Sequence, residues 1–317
     1  MNKKTMNILL CIDDFKWDYS RHCAVTILSV LETNKKNKLK FYIMSSYLPE
    51  ENIEELKRIV TSYGQEIEFI IENNIIPKDI KNSVINRRNL TRGTRYRLFF
   101  PLYIKNIDRL LYMDCDVLVT KDISNIYNMD MKWKAIAWWH DTIFSCYKNK
   151  IFWLKNYVNA GVLLFNANKY DMKKINLETI NKLNNKLWKY IYDSDQDYLN
   201  LIFEDDILIY EQWMNYLIEN KYINLWINRA EIVHCLEKPY VQYSSIPKRF
   251  INLYNKYLRQ TKRKWYPYQK AKHWLVKHIF NCFYLFISHL LKTILPQKIM
   301  KTLIFFIRKL RVLFNKY

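Results

Sequence analysis

Residues 109–120 read R-L-L-Y-M-D-C-D-V-L-V-T, an apolar run that enters two carboxylates set two apart, Asp114 and Asp116. In an extended chain side chains alternate, so both acids point to one side and Cys115 to the other. Two unpaired carboxylates at the end of a buried strand are costly without a compensating cation. Open α/β sheets take their ligands at the carboxyl ends of their strands. The pair therefore suggests a divalent cation, Mg2+ or Mn2+, held by oxygens and bridging to phosphates. Alone, a D-x-D is more simply a solvated turn, so the reading depends on what surrounds it.

Upstream, Asn7–Ile12 (N-I-L-L-C-I) is a second short apolar run, and it too ends in acids, Asp13 and Asp14. Leu39–Met44, Glu66–Ile71 and Arg109–Met113 also read as strands. Arg21–Glu32, Pro49–Tyr63 and Thr94–Tyr103 carry helical spacing, and Gly64 is placed to end the second of these helices. Downstream, Lys134–Trp139, Gly161–Phe165, Ile207–Ile209 and Ile232–His234 read as strands, and Ile175–Ile191 and Asp195–Phe203 as helices. Strands alternating with helices predict an α/β fold with a largely parallel sheet.

The 317 residues include only three glycines, Gly64, Gly93 and Gly161, none near another. That excludes a G-x-G-x-x-G dinucleotide loop, a P-loop and a G-x-S-x-G nucleophile elbow. In so glycine-poor a chain, Gly161 is expected to mark a close backbone approach or a special φ just before its strand. Ser194-Asp195-Gln196-Asp197 opens a helix, where Ser194 suits the N-cap and the acids suit the helix dipole.

The net charge of +21 is uneven: from Lys238 to Tyr317 there are 18 Lys and Arg and no acid, so residues 1–237, with 33 basic and 30 acidic residues, carry only +3. The six cysteines (11, 23, 115, 146, 235 and 282) form no C-x-x-C pair, which argues for reduced thiols rather than a zinc ribbon or redox dithiol. The run Ile8–Ile12 is too short for a signal peptide and stops at Asp13-Asp14, so a cytoplasmic location is expected.

Six segments taken together resemble the family-eight glycosyltransferases, retaining enzymes that include bacterial lipopolysaccharide glucosyl- and galactosyltransferases. They are N-I-L-L-C-I-D-D, T-R-Y-R-L-F-F-P (Thr94–Pro101), L-Y-M-D-C-D (Leu111–Asp116), N-A-G-V-L-L-F-N (Asn159–Asn166), D-Q-D-Y-L-N (Asp195–Asn200) and I-V-H-C-L-E-K-P (Ile232–Pro239). They stand in the family's order over about residues 7–240.

The resemblance implies a GT-A-like fold, a Rossmann-like nucleotide-binding sheet flanked by helices over residues 1–240. It implies a UDP-sugar donor, UDP-galactose or UDP-glucose, and Mn2+ (or Mg2+) on Asp114, Asp116 and His234. Asp13 and Asp14 would contact uridine and ribose, and Arg97 would sit near the donor. Asn159 and Ala160 would line the sugar pocket, Asp195 would hold sugar hydroxyls and Gln196 would sit beside the anomeric carbon. Asp197 follows as a further carboxylate of the catalytic motif. Lys238 would meet the pyrophosphate, although only C-L-E separates it from His234 where the family has a longer spacer containing glycine.

Residues 241–317 read as a basic helical appendage. After Pro296, Ile299, Leu303, Phe306, Leu310 and Leu313 recur at helical spacing among Lys and Arg, the pattern of a helix lying in an anionic membrane interface. The run Ile279–Leu291 is too short and interrupted to span. The expected location is therefore the inner face of the cytoplasmic membrane, beside a lipid-linked oligosaccharide acceptor. Nucleic acid is disfavoured, because the apolar stripe has no role there. Two rivals stand beside this reading. One is a membrane-surface or nucleic-acid-binding protein on an inactive GT-A body. The other is a sugar-phosphate nucleotidyltransferase, which would want a glycine-rich loop that this chain lacks.

Overall fold

The first three strands alternate with helices as the apolar periodicity predicts: β1 (Met6–Cys11), α1 (Ser20–Thr33), β2 (Leu39–Ser45), α2 (Glu50–Ser62) and β3 (Glu66–Ile71). The computed structural model describes residues 4–15, 19–85, 92–139, 145–210, 216–218, 230–235 and 247–262. All of these fall within the first of two contact-defined units, Met1–Trp265 and Tyr266–Tyr317. Lys238 and the apolar and basic segments beyond residue 262 lie outside the described residues.

The chain continues through α3 (Lys78–Lys81), α4 (Gly93–Tyr96), β4 (Arg109–Met113), β5 (Val117–Val119), α5 (Ser124–Asn128), β6 (Ile136–Trp139) and α6 (Ser145–Phe152). Then come β7 (Val162–Asn166), α7 (Leu177–Leu187), α8 (Asp195–Ile202), β8 (Ile207–Tyr210), β9 (Tyr216–Ile218), β10 (Ile232–Cys235) and α9 (Lys248–Leu258). Seven strands form one sheet in the order β3-β2-β1-β4-β7-β6-β8. Only β7 runs antiparallel to its neighbours; the remaining pairs are parallel. A smaller sheet, β5-β10-β9, takes the chain after the D-x-D.

β1 shows why the short runs lack alternation. Ile8 and Leu10 enter one core cluster, Leu9 and Cys11 the other, and all four are buried. A strand covered on both faces needs apolar residues at every position. β1 and β4 are parallel neighbours, with Ile8 opposite Leu111, so Asp13-Asp14 and Asp114–Asp116 emerge at the same end of the sheet.

Two predicted helices are shorter than their periodicity suggested. Thr94–Tyr103 becomes one α-turn followed by a 3-10 stretch, Arg97–Leu102, with Pro101 inside it. Proline cannot donate to an α-helical ladder. Ile175–Ile191 contracts to α7, because the Asn176 side chain accepts from Thr179 N at 2.8 Å and starts the helix there. Helix α9 packs Phe250, Tyr254, Tyr257 and Leu258 into the same core cluster as α1, and Tyr254 Oη lies 2.6 Å from His22 Nδ1. Lys248–Leu258, within the acid-free stretch, is thus part of the packed body. Among the described residues, no helix is long and apolar enough to cross a membrane. Cys11, Cys23, Cys115 and Cys235 are free buried thiols.

Candidate active site

The D-x-D is a corner rather than a straight strand end. β4 leaves the large sheet at Met113, β5 joins the small one at Val117, and Asp114–Asp116 make the turn between them. Its backbone is tied to three other elements: Asp114 N donates to Gly161 O at 2.7 Å, and Asp116 O accepts from Cys235 N at 2.9 Å. Thr26 Oγ1, from α1, donates to Cys115 O at 3.0 Å and Val117 O at 2.9 Å. These main-chain bonds hold the turn without using either carboxylate.

Those carboxylates meet His234, which β10 delivers by pairing it opposite Val117. His234 Nε2 lies 3.1 Å from Asp116 Oδ1 and 3.9 Å from Asp114 Oδ2. Ligand atoms of the three residues all lie within 4.8 Å of one another. Burial pushes the imidazole pKa down, but Asp116 and Asp114 outweigh it and the net shift is upward. His234 Nδ1 is buried without a hydrogen-bond partner, while Asp116 Oδ1 faces Nε2 of the same ring. Two converging carboxylates and an imidazole with an unpartnered buried nitrogen form an oxygen-rich donor set suited to Mn2+ or Mg2+.

Gly161 explains its own identity at this point. A Cβ built on it would lie 2.0 Å from Cε1, 2.6 Å from Nδ1 and 2.9 Å from Nε2 of His234. The imidazole therefore rests on bare backbone, the close approach that the scarcity of glycine pointed to.

Arg97 ties this corner to α8. Its Nη1 lies 3.2 Å from Asp114 Oδ1 and also donates to Ala160 O, and its Nε donates to Thr94 O at 2.7 Å and lies 2.8 Å from Asp195 Oδ2. The guanidinium carbon sits 4.4 Å from the centre of the Tyr112 ring. Burial opposes the Arg97 charge, yet Asp195, Tyr112 and Asp114 more than restore it. For Asp195, burial dominates over the pull of Arg97, and its pKa is pushed up to about 6.

The rest of the D-Q-D motif faces two ways. Gln196 is half-buried, whereas Asp195 and Asp197 are buried. Gln196 Oε1 accepts from Ala160 N at 2.9 Å and Asn159 Nδ2 at 3.3 Å. Asp197 turns away to Lys148, Tyr157 and the backbone before α8. Ser194 occupies the N-cap position without using its side chain as a cap. Its φ is +50°, and its hydroxyl is buried without a hydrogen-bond partner.

Asp13 and Asp14 sit at the neighbouring strand end. Asp13 accepts from Ser46 N and Oγ, both at 2.8 Å, and from Tyr96 Oη at 2.9 Å. Asp14 accepts from Tyr19 N at 2.9 Å, Ser20 N at 3.1 Å and Asn52 Nδ2 at 2.9 Å, bracing the start of α1. Every named site residue except Lys238 is therefore described, and Asp114, Asp116, His234, Arg97, Asp195, Gln196, Asn159 and Ala160 form one connected group.

Sequence reading passed over Tyr112, whose hydroxyl donates to Asp114 Oδ1. The strand period of two offered that signal, since Tyr112 and Asp114 share a side. It also passed over Lys148 and Tyr157, and among 51 Lys and Arg nothing local marks one lysine as buried.

The sequence matches the glycosyl transferase family 8 over residues 7–239. A putative glycosyltransferase of Haemophilus influenzae is 29% identical over 221 residues, which cover 67% of this chain and 64% of that protein. The match thus spans just under two thirds of that relative's length. The lipopolysaccharide glucosyltransferase WaaO of Escherichia coli K12 is 25% identical over 229 residues, covering 67% of this chain and 66% of that one. Among solved structures, galactosyltransferase LgtC in complex with donor and acceptor sugar analogs superposes with a TM-score of 0.66 at 22% identity. That superposition covers 79% of this chain and 96% of that one, and it shows the same GT-A-like fold. With the match running from β1 to just past His234, the chain belongs to glycosyl transferase family 8.

Proposed function

We propose that this protein is a metal-dependent retaining glycosyltransferase. It moves a hexose, galactose or glucose, from a UDP-sugar to a lipopolysaccharide or other surface-glycan acceptor. The observation that carries the reading is the convergence of Asp114, Asp116 and His234 over Gly161, at the carboxyl end of the sheet. The names of the relatives support the class of acceptor and the choice of hexose.

A divalent cation bound by these three residues would neutralise the charge that builds on a leaving diphosphate. The chain's own groups do the remaining work. Asp13, with Asp14 behind it, lines the nucleoside pocket. Arg97 anchors Asp114 and Asp195 against each other, so the metal corner and the sugar pocket keep a fixed separation. Asp195 accepts from sugar hydroxyls, Asn159 and Ala160 wall the pocket, and Lys238 meets the diphosphate. Such preorganised contacts are typically worth about 3 kcal/mol each in the barrier.

Retention by front-face attack suits the carboxylates. Gln196 is a weak nucleophile, and both oxygens of Asp197 are already engaged by buried donors. The basic region within 241–317 would hold the enzyme on the anionic inner face of the cytoplasmic membrane, next to a lipid-linked acceptor. Each Lys or Arg near such a surface adds about 1 kcal/mol.

Isothermal titration with UDP, with and without Mn2+, tests the site. Metal-dependent UDP binding is expected, and a donor panel read by UDP release then identifies the sugar. Absence of metal-dependent UDP affinity would overturn the proposal.

A further inference from the structure

A buried lysine stands at the far end of a hydrogen-bond chain that reaches the sugar pocket. We propose that Lys148 and Tyr157 are positioning residues that hold the Gln196 amide in a single orientation beside the transferred sugar. The inference rests on the glycosyltransferase reading of this site.

Lys148, on α6, has a side chain only 7% exposed, an unusual place for lysine unless it is paired. Its Nζ lies 2.8 and 3.1 Å from the two oxygens of Asp197 and 3.2 Å from Asp193 Oδ2. It also sits 5.0 Å from the centre of the Phe152 ring and 5.5 Å from that of Tyr157. Asp197 is saturated: besides Lys148 it accepts from Tyr157 Oη at 2.6 Å and from Tyr192 N and Asp193 N, both at 2.7 Å.

This arrangement dictates the direction of every later bond. Burial and the nearby Asp197 and Asp193 push the Tyr157 phenol pKa well up, so it keeps its proton and donates it to Asp197. With its hydrogen committed, the phenol oxygen can only accept, and it accepts from Gln196 Nε2 at 3.0 Å. Gln196 Oε1 must then face Ala160 N, at 2.9 Å, and Asn159 Nδ2, at 3.3 Å. Turned over, the amide would set N–H against N–H at Ala160 and oxygen against oxygen at Tyr157. Asn159 is fixed in the same way, its Oδ1 accepting from Gly161 N at 2.8 Å. Gly161 O in turn accepts from Asp114 N at 2.7 Å, so the chain ends at the metal corner.

The charge at the far end sets this polarity. Without Lys148, Asp197 would lose the cation that holds both of its oxygens, so the acceptor that commits the Tyr157 hydrogen would no longer be fixed and the Gln196 amide could turn over. The long side chain of Lys148 thus acts on the sugar pocket without touching substrate.

Tyr157→Phe is the cleanest test, since it removes one oxygen and keeps the ring. The turnover number of UDP-sugar transfer should fall about tenfold or more, because small misplacements beside the reacting centre cost that much. UDP affinity in the presence of Mn2+ should stay within about twofold, as expected when only the transition state is affected. Lys148→Met should show the same split, and the double variant should be no slower than the slower single one, because the two act in one chain. A Tyr157→Phe variant with wild-type turnover would overturn the proposal. So would parallel losses of turnover, UDP affinity and thermal midpoint, the mark of a structural role only. If the wild-type protein itself showed no metal-dependent UDP-sugar turnover, the underlying functional reading would fall instead.

Discussion

Gly161 and His234 are in direct contact: the imidazole lies where a Cβ on residue 161 would be, with Cε1 only 2.0 Å from that position. The two residues come from different sheets, β7's leading edge in the large one and β10 in the small one. Their contact brings the third member of the Asp114–Asp116–His234 group within reach of the other two.

Gly161→Ala should therefore displace the imidazole rather than merely fill space. Overpacking of this kind costs about 1–3 kcal/mol of stability. Disturbing the orientation of a ligand should lower metal affinity by about 10–100-fold. Mn2+ titration followed by calorimetry or paramagnetic resonance checks it; unchanged Mn2+ affinity in a folded variant would refute the role assigned to the contact.

Gly64→Ala is the matching control. Gly64 has φ +68° after α2, and nothing lies within 4 Å of a Cβ built there. The cost is conformational alone, about 1–2 kcal/mol for a side chain forced into the left-handed region. The thermal midpoint should fall while turnover per folded molecule stays at the wild-type level.

Asp195 sets a pH dependence with opposite signs for stability and activity. Its carboxyl has a pKa of about 6 in the folded protein against an ordinary 3.8. Between those values the folded state holds a proton that the unfolded state has released. Metal-free protein should therefore lose stability as pH rises from about 4 to about 6, by an amount on the order of 3 kcal/mol. Asp195→Asn should remove that slope, which denaturant unfolding at several pH values measures. Activity, which requires the carboxylate, should instead fall as pH drops below about 6. An acid limb near pH 4 would contradict this assignment.

Deleting residues after 265 should abolish pelleting with anionic vesicles and leave metal-dependent UDP-sugar hydrolysis intact. Pelleting at wild-type levels by the shortened chain would remove the membrane role proposed for that region.

Asp116→Ala should lower metal-dependent transfer by about 100–1,000-fold, the usual loss for one charge-stabilising contact. Coupled detection of UDP release checks it, and full activity of the purified variant would sink the ligand set.

The sequence by itself determined the strands of the large sheet and the order of the motifs, but not β5 and β9 of the small one. Unbroken apolar runs such as Asn7–Ile12 and Arg109–Met113 can only be covered on both faces, and acids at their ends must emerge at the rim of the sheet. Local spacing also placed Gly64 and singled out Gly161. Only the tertiary structure decided what those acids meet. The D-x-D acids reach the same side through a turn between two sheets, held by Thr26 from a helix almost ninety positions away in sequence. His234 arrives through strand pairing opposite Val117. Asp195 and Asp197, two apart in one motif, serve different partners because Arg97 lies on one side of α8 and Lys148 on the other. Periodicity reports which face of an element is apolar, but long-range contacts fix which buried charge stands opposite which. That is why Lys148, one cation among 51 in the sequence, is recognisable only where the chain has folded around it.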